Sequence, residues 1–231
     1  MNRLLAVHRY PVKSLLGETL DEVTVEQRGC AGDRMWSVRD LDGRFGSGKT
    51  TRRFRRMDGL LELRAAYDGD VPVITFPDGR ELRAGTSAAD QAVSDHVGRP
   101  VTLAQEEAVS HFDEGPVHLV TTASLETLAR AHGRPVAPRR TRANLLLEWD
   151  GDGFPEHGWV GRRVAIGPDV VLRVRGLMPR CVMVNASQGS LPTDAGLLKT
   201  ITHLSAGALG VVADVEQGGK VAVGDVVVLP A

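Results

Sequence analysis

Gly43-Arg44-Phe45-Gly46-Ser47-Gly48-Lys49-Thr50 is the stretch on which the fold of this 231-residue chain turns. It satisfies the phosphate-loop pattern of glycine, four residues, then Gly-Lys-Thr. In that pattern backbone N–H groups cradle phosphates, lysine neutralises charge and the threonine hydroxyl holds magnesium. An apolar run ending in acidic residues, Leu145-Leu146-Leu147-Glu148-Trp149-Asp150, offers it a partner. A nucleotide hydrolase built on such a loop, however, needs a parallel sheet whose strands alternate with helices over most of the chain. The surroundings lack that pattern. Thr51 to Asp58 carries Arg52, Arg53, Arg55 and Arg56 with little apolar face, poor material for the helix that must pack on such a sheet. The octapeptide therefore reads as a flexible basic hairpin loop, whose glycines, Lys49 and nearby arginines could still bind an anion.

Outward from it, β-branched and alternating runs predict strands at Leu4 to Val7, Val23 to Val25, Met35 to Val38, Leu60 to Leu63 and Val71 to Phe76. Asp-Gly pairs at 42–43, 58–59 and 78–79 separate them. Asp-Gly is turn chemistry, because glycine takes positive φ and aspartate bonds its own backbone, so the first third reads as a meander of short antiparallel strands. Two helices are expected, one capped by Ser87 and stopped by Gly98, the other capped by Thr122 and stopped by Gly133. A short strand, Val101 to Leu103, follows the first helix. Strands then return at Asn144 to Trp149, Val164 to Ile166, Val170 to Val174, Val211 to Val215 and Val221 to Leu229. The expected fold is mostly β, barrel-like, with a few helices, in two parts, 1–105 and 106–231.

The composition is that of a globular protein, with 42% hydrophobic and 25% charged residues. Balanced charge, formally -1, gives no electrostatic reason to expect nucleic acid or an anionic membrane as partner, and a small molecule or another protein is expected instead. No apolar run approaches the roughly 20 residues of a membrane helix. The opening has too short an apolar core for a secretory signal, so a soluble cytoplasmic protein is expected. Two cysteines are too few for a disulfide framework or a four-thiolate iron–sulfur cluster, and any redox chemistry would draw on another cofactor or an outside donor. The seven histidines show no metal-ligand spacing that would support zinc, and no Gly-x-Ser-x-Gly elbow points to a serine nucleophile.

Four short segments carry a further reading: Tyr10-Pro11-Val12-Lys13-Ser14, Gly32-Asp33-Arg34-Met35-Trp36, Arg142-Ala143-Asn144 and Arg180-Cys181. With Phe154-Pro155-Glu156-His157-Gly158-Trp159, Ile166-Gly167 and Val223-Gly224-Asp225-Val226-Val227, they resemble, in order and over nearly the whole chain, the motifs of the MOSC (molybdenum cofactor sulfurase C-terminal) family. The form resembled has an N-terminal β-barrel portion and includes the mitochondrial amidoxime-reducing component. The resemblance implies a molybdenum-dependent oxidoreductase binding a molybdenum pterin cofactor, with Cys181 as metal ligand and catalytic centre. Lys13, Ser14 and Arg34 then fall at phosphate and pterin contacts, Arg142 and Asn144 at contacts nearer the metal, and Ser47 and Lys49 at a further contact.

The residue types suit these roles. A soft thiolate fits molybdenum beside the cofactor's own sulfurs, Arg180 favours the thiolate of its neighbour, and arginine forks with a lysine point charge hold phosphate. Read alone, Cys181 could be a structural cysteine, Arg34 and Arg142 salt-bridge partners, and Ser14 a turn residue. Cys30, between glycines, reads as structural or incidental. The segment Asn185-Ala186-Ser187-Gln188-Gly189-Ser190 departs from the family wording ahead of Asp194, and because it would face the substrate the resemblance does not fix substrate identity. An N-hydroxylated or other N/S-oxygenated small molecule, reduced with electrons from a separate donor protein, is the expected reaction. The alternatives are a non-catalytic cofactor or sulfur carrier using Cys181, and the nucleotide hydrolase.

Overall fold

A computed structural model describes residues 2–229. The described chain is mostly strand, with three α-helices: α1 (Ser87–Val97), α2 (Thr122–His132) and α3 (Leu197–Ser205). An eight-stranded sheet runs in spatial order Val227–Val228, Arg163–Ile166, Val170–Pro179, Ala208–Gln217, Val117–Thr121, Leu145–Glu148, Arg3–Arg9 and Glu18–Leu20. Its pairings are antiparallel except for Val117–Thr121 beside Leu145–Glu148, which are parallel and joined through α2. Both faces of those two strands are covered, so Val117–Thr121 is buried throughout and Leu145–Glu148 is buried up to its last residue. Leu119, Leu145 and Leu147 pack into one core with Leu4, Val164 and Leu172, while Val120 and Leu146 face the other way onto Leu128 of α2 and Leu197 and Ile201 of α3.

The N-terminal half closes a separate core. Strands Val101–Gln105, Trp36–Asp40, Phe45–Ser47 and Phe54–Arg56 form a small sheet to which Val12–Lys13 adds in parallel, and Arg64–Asp68, Val71–Thr75 and Glu81–Arg83 form an antiparallel meander. Val38, Leu60, Ile74 and Val93 are buried between them and α1. The two cores do not divide the chain at residue 105. Arg3–Arg9 joins the eight-stranded sheet, and Glu22–Glu26 pairs with Gly219–Ala222. Val23 and Val25 thus lie in the core of the eight-stranded sheet and alternate with exposed Glu22, Thr24 and Glu26, the period-two signature of a half-buried strand.

Several expectations need correction. Leu60–Glu62 is a short 3₁₀ turn, not a strand: Gly59 turns the chain at φ 89°, and Leu60, Leu61 and Leu63 are all buried, a spacing no strand offers. The helices are capped one residue earlier than expected, by Thr86 and Thr121, whose hydroxyls accept from Ala89 N and Ser124 N. α3 went unread because its β-branched run Thr200-Ile201-Thr202 mimics a strand. Val221 to Leu229 is broken by a turn at Gly224 (φ 96°) into Gly219–Ala222 and Val227–Val228.

The octapeptide is neither a phosphate loop nor a flexible hairpin. Phe45–Ser47 is a fully buried strand paired in parallel with Phe54–Arg56, and the intervening bends lead to no helix. Two of its glycines answer to packing. A Cβ on Gly46 would lie 2.7 Å from Leu60 Cδ1, and one on Gly48 would lie 2.4 Å from Met183 Sδ. Of the two glycines the phosphate-loop pattern requires, Gly48 thus serves a close approach of side chain to backbone and Gly43 a turn at φ 75°.

Candidate functional site

Where the ends of the two sheets meet, a cavity of about 270 Å³ opens. The N-terminal half contributes Lys13 at the end of strand Val12–Lys13, Ser14 in the following turn, Arg34 in the turn before Trp36, and Ser47, Lys49 and Arg53 around the octapeptide. The C-terminal half contributes Arg140 and Thr141 from a 3₁₀ turn, Arg142 at its end, and Arg180 and Cys181 directly after strand Val170–Pro179. Eight of the residues singled out in the sequence therefore share one cavity, although 168 positions (13 to 181) separate Lys13 from Cys181.

Asn144 is the exception. It is 1% exposed and lies outside the lining; its side-chain oxygen accepts from His118 N at 3.1 Å and its amide donates to the His8 carbonyl at 3.3 Å. It ties three neighbouring strands together directly behind Arg142.

The backbone is held in an unfavourable conformation at this place. Four non-glycine residues among those described have positive φ, and three of them, Ser14 (66°), Arg34 (52°) and Arg142 (54°), line the cavity. Left-handed backbone costs about 1 to 2 kcal/mol per L-residue and persists where the surroundings over-determine it, commonly at binding sites. Here the surroundings are specific. Asp33, wholly buried, accepts from Tyr10 N at 2.8 Å and pairs with Arg34; Arg34 donates to the Arg142 carbonyl at 3.1 Å; Arg142 donates to the Leu15 carbonyl at 2.7 Å and stacks over the Tyr10 ring at 4.3 Å.

Charge is strongly one-sided. The lining holds seven cationic side chains, Lys13, Arg34, Lys49, Arg53, Arg140, Arg142 and Arg180, against the carboxylates Asp113 and Glu114. Lys13 is 5% exposed, pairs with Asp113 at 2.7 Å and donates to the His111 carbonyl at 2.7 Å, yet burial, seconded by Arg34 and Arg53, pushes its pKa down to about 8. Burial, then repulsion from Arg34, pushes Arg142 down to about 10. Arg180 is likewise pushed by burial to about 10, with Cys181 acting in the opposite sense and Arg142 adding to the depression.

Three buried nitrogens of the lining, Arg53 Nε, Arg142 Nη2 and Arg180 Nε, have no hydrogen-bond partner among the described residues. A buried donor left unmatched costs about 1 to 3 kcal/mol. Strained backbone, crowded cations and unmatched donors together describe a cradle whose complement is an anionic ligand rich in acceptors. Cys181 is half-buried at its edge, a thiol reachable from the cavity, whereas Cys30 lies in the core of the eight-stranded sheet and burial pushes its thiol well up. Among the described residues no group of three or more histidine, cysteine or acidic side chains is placed to hold a metal ion. Cys181 could therefore only complete a ligand set supplied largely by something else.

Sequence reasoning missed Asp113 and Arg140, and touched Arg53 only as one of the arginines near the octapeptide that could bind an anion. Arg53 donates to the Phe112 carbonyl at 2.8 Å and, with Lys13, fastens the segment carrying His111 and Asp113 over the cavity. Arg140, 6% exposed, donates to the Val184 carbonyl at 3.2 Å, to the Ala186 carbonyl at 2.9 Å and to the Pro192 carbonyl, so one guanidinium pins the loop after Cys181. Only the basic run Arg139-Arg140-Thr141-Arg142 hinted at it. Hydrogen bonds from a charged group are worth about 1.5 to 3 kcal/mol each in gross terms. Arg140→Ala is accordingly expected to loosen residues 182–192, read as at least tenfold faster amide exchange there, with exchange in the eight-stranded sheet unchanged. Uniform loss of protection across the molecule would show instead that Arg140 is a general stabiliser.

The family model for the MOSC domain matches residues 96–228, and that for the MOSC N-terminal β-barrel domain matches residues 1–119. The chain belongs to the MOSC family, in the form that carries the N-terminal barrel domain. No curated protein matches it. Among solved structures, the YuaD protein of Bacillus subtilis superposes with a TM-score of 0.56 at 16% identity, covering 98% of this chain and 94% of that one. YiiM of Geobacillus stearothermophilus matches with a TM-score of 0.40 at 18% identity, over 66% of this chain and 67% of its own. At such identities the YuaD likeness is one of fold. Among the described residues no helix is long and apolar enough to cross a membrane.

Proposed function

We propose that the cationic cavity binds a molybdenum cofactor and that the protein is a molybdenum-dependent oxidoreductase acting on N-hydroxylated or otherwise N- or S-oxygenated small molecules. The observation that supports this most is the meeting of a half-buried thiol, Cys181, with Lys13, Arg34, Arg142 and Arg180 in one cavity that leaves three arginine nitrogens unmatched among the described residues. Phosphate and polar pterin edges supply the acceptors those donors lack, and a thiolate is a soft ligand suited to molybdenum. In this reading Lys13, Ser14 and Arg34 hold the phosphate end, Arg142 and Arg180 the pterin, and Ser47 and Lys49 the cavity's edge. Asn144 acts from behind, fixing the strand that presents Arg142. When bound, the cofactor supplies two-electron reduction, by which an N-hydroxyl group leaves as water at the expense of two electrons and two protons delivered by a separate reductase.

The chain's own part is to bind, orient and exclude water. The buried arginines sit in a low-dielectric setting where their charge is worth more than in water, and the Tyr10 ring, 4.3 Å from the Arg142 guanidinium carbon, helps to hold it in place. The segment pinned by Arg53 and Lys13 shields the phosphate end. Elemental analysis of freshly purified protein, with pterin release on denaturation, tests the reading. Near-stoichiometric molybdenum and pterin are expected; a persulfide on Cys181 without pterin would instead mark a sulfur carrier.

Anion binding should depend on pH through Lys13. Its pKa in the empty fold, about 8, lies below its ordinary 10.5, so the empty protein carries the cost of a buried ammonium below pH 8 and gains stability as pH rises from there toward 10.5. A phosphate group needs the charged form. Inorganic phosphate affinity should therefore fall by up to about tenfold between pH 7 and 9. Lys13→Met should bind weakly at both pH values, and a pH dependence that persists in that variant would assign the titration to another group.

A further inference from the structure

A second cavity, about 470 Å³, lies beside the cationic one and shares Ser47 and Met183 with it. Its floor is apolar, built from Met57, Leu60 and Leu61 of the N-terminal half and Val182, Met183 and Ala186 of the loop after Cys181. The two halves of the molecule thus meet twice, once through charge and once through apolar surface. The volume suits a small organic molecule, and an apolar cleft joined to a few polar groups is the usual form of a substrate site.

The partition is a single flexible side chain. Met183 Sδ accepts from Gly48 N–H at 3.0 Å, and the absence of a Cβ at Gly48 is what lets it lie there. Methionine is unbranched and adaptable, so it can yield to a ligand at small cost. Val182, next to Cys181, is 46% exposed although it is a large apolar residue on the lining, as expected of a surface awaiting a partner. Arg140 fastens Val184, Ala186 and Pro192, which gives this wall a fixed position relative to the thiol.

We propose that this second cavity binds the apolar body, aromatic or branched aliphatic, of the substrate, whose polar reacting end extends past Met183 toward Cys181. The proposal rests on the cofactor reading for the reacting end, while the binding of the apolar body stands on the cavity alone. It implies that selectivity among substrates lies in Leu61, Met183 and Ala186, on loops contributed by both halves, and not in the cationic cradle.

The test is titration of benzamidoxime into the protein as purified and into Ala186→Phe and Ala195→Trp, both of which fill the cavity. Ala195 is exposed, so tryptophan there leaves the core intact. Benzamidoxime affinity should weaken at least about tenfold in each variant, roughly the worth of one displaced apolar group. Turnover of hydroxylamine, which has no apolar body, should stay within about twofold, with molybdenum content unchanged. Unaltered benzamidoxime affinity in both variants, or hydroxylamine turnover falling in parallel, would overturn the assignment. Wild-type protein without molybdenum would refute the cofactor reading, and the binding comparison would still decide the cavity.

Discussion

Cys181→Ser is expected to abolish molybdenum-dependent reduction, with turnover down at least about a hundredfold, beyond the roughly 10- to 100-fold that losing a supporting hydrogen bond around a metal costs. The substitution keeps size and local polarity and replaces a soft sulfur with a hard oxygen, so it isolates the ligand chemistry. Folding should be unaffected to within about 0.5 kcal/mol, because the side chain is half-buried, belongs to no apolar core and makes no side-chain hydrogen bond. Pterin retention should fall much less than molybdenum, since phosphate and pterin contacts belong to Lys13, Arg34, Arg142 and Arg180. Elemental analysis, pterin fluorescence after denaturation and benzamidoxime reduction with an artificial donor read these separately. Activity and molybdenum both retained in the serine variant would sink the assignment of Cys181.

The outcome bears on how far the residues speak for themselves. Lys13, Arg34, Arg142 and Cys181 could be named from their order along the chain, but no spacing rule brings them together. Their meeting depends on Val12–Lys13 pairing with Trp36–Asp40 in one sheet while Val170–Pro179 delivers Cys181 from another. What the local pattern fixed well was the strand-rich character and the Asp-Gly turns. Those rest on period-two burial and on positive φ, which neighbours in sequence determine.

What it did not fix were residues whose roles are set across the fold. Arg140 reads as one more arginine in a basic run until the carbonyls of residues 184, 186 and 192 surround it. Asn144 reads as a site residue through the resemblance of Arg142-Ala143-Asn144 to the MOSC motif, yet its amide is spent on the backbone of His118 and His8. Leu60-Leu61-Glu62-Leu63 reads as a strand because a 3₁₀ turn held by tertiary packing carries no period of its own. Gly43 and Gly48 completed a phosphate-loop pattern for other reasons, a turn at φ 75° and the approach of Met183, 135 residues away.

Arg142→Met should move stability and cofactor retention in opposite directions. In the empty protein Arg142 is a buried cation with one unmatched nitrogen, repelled by Arg34, and the depression of its pKa to about 10 from 12.5 measures what burial costs its charged form. At pH 7, below both values, that cost is present in full, up to about 3 kcal/mol. Methionine removes it and keeps apolar contact with the Tyr10 ring, while giving up a bond from a charged donor to the Leu15 carbonyl, worth about 1.5 to 3 kcal/mol. The residue keeps its left-handed backbone in either case, so strain cancels from the comparison. A net gain of up to about 1.5 kcal/mol follows, a rise of up to roughly 6 °C in Tm for a chain of this size. Against that, a guanidinium lost from an anion cradle weakens binding by about 2 to 5 kcal/mol, which is roughly 30-fold to several thousand-fold. The purified variant should be more heat-resistant when empty and nearly devoid of pterin. An empty variant that melts below the empty parent would show that Arg142 is there for the fold, and full pterin retention would show that the cradle's complement lies elsewhere.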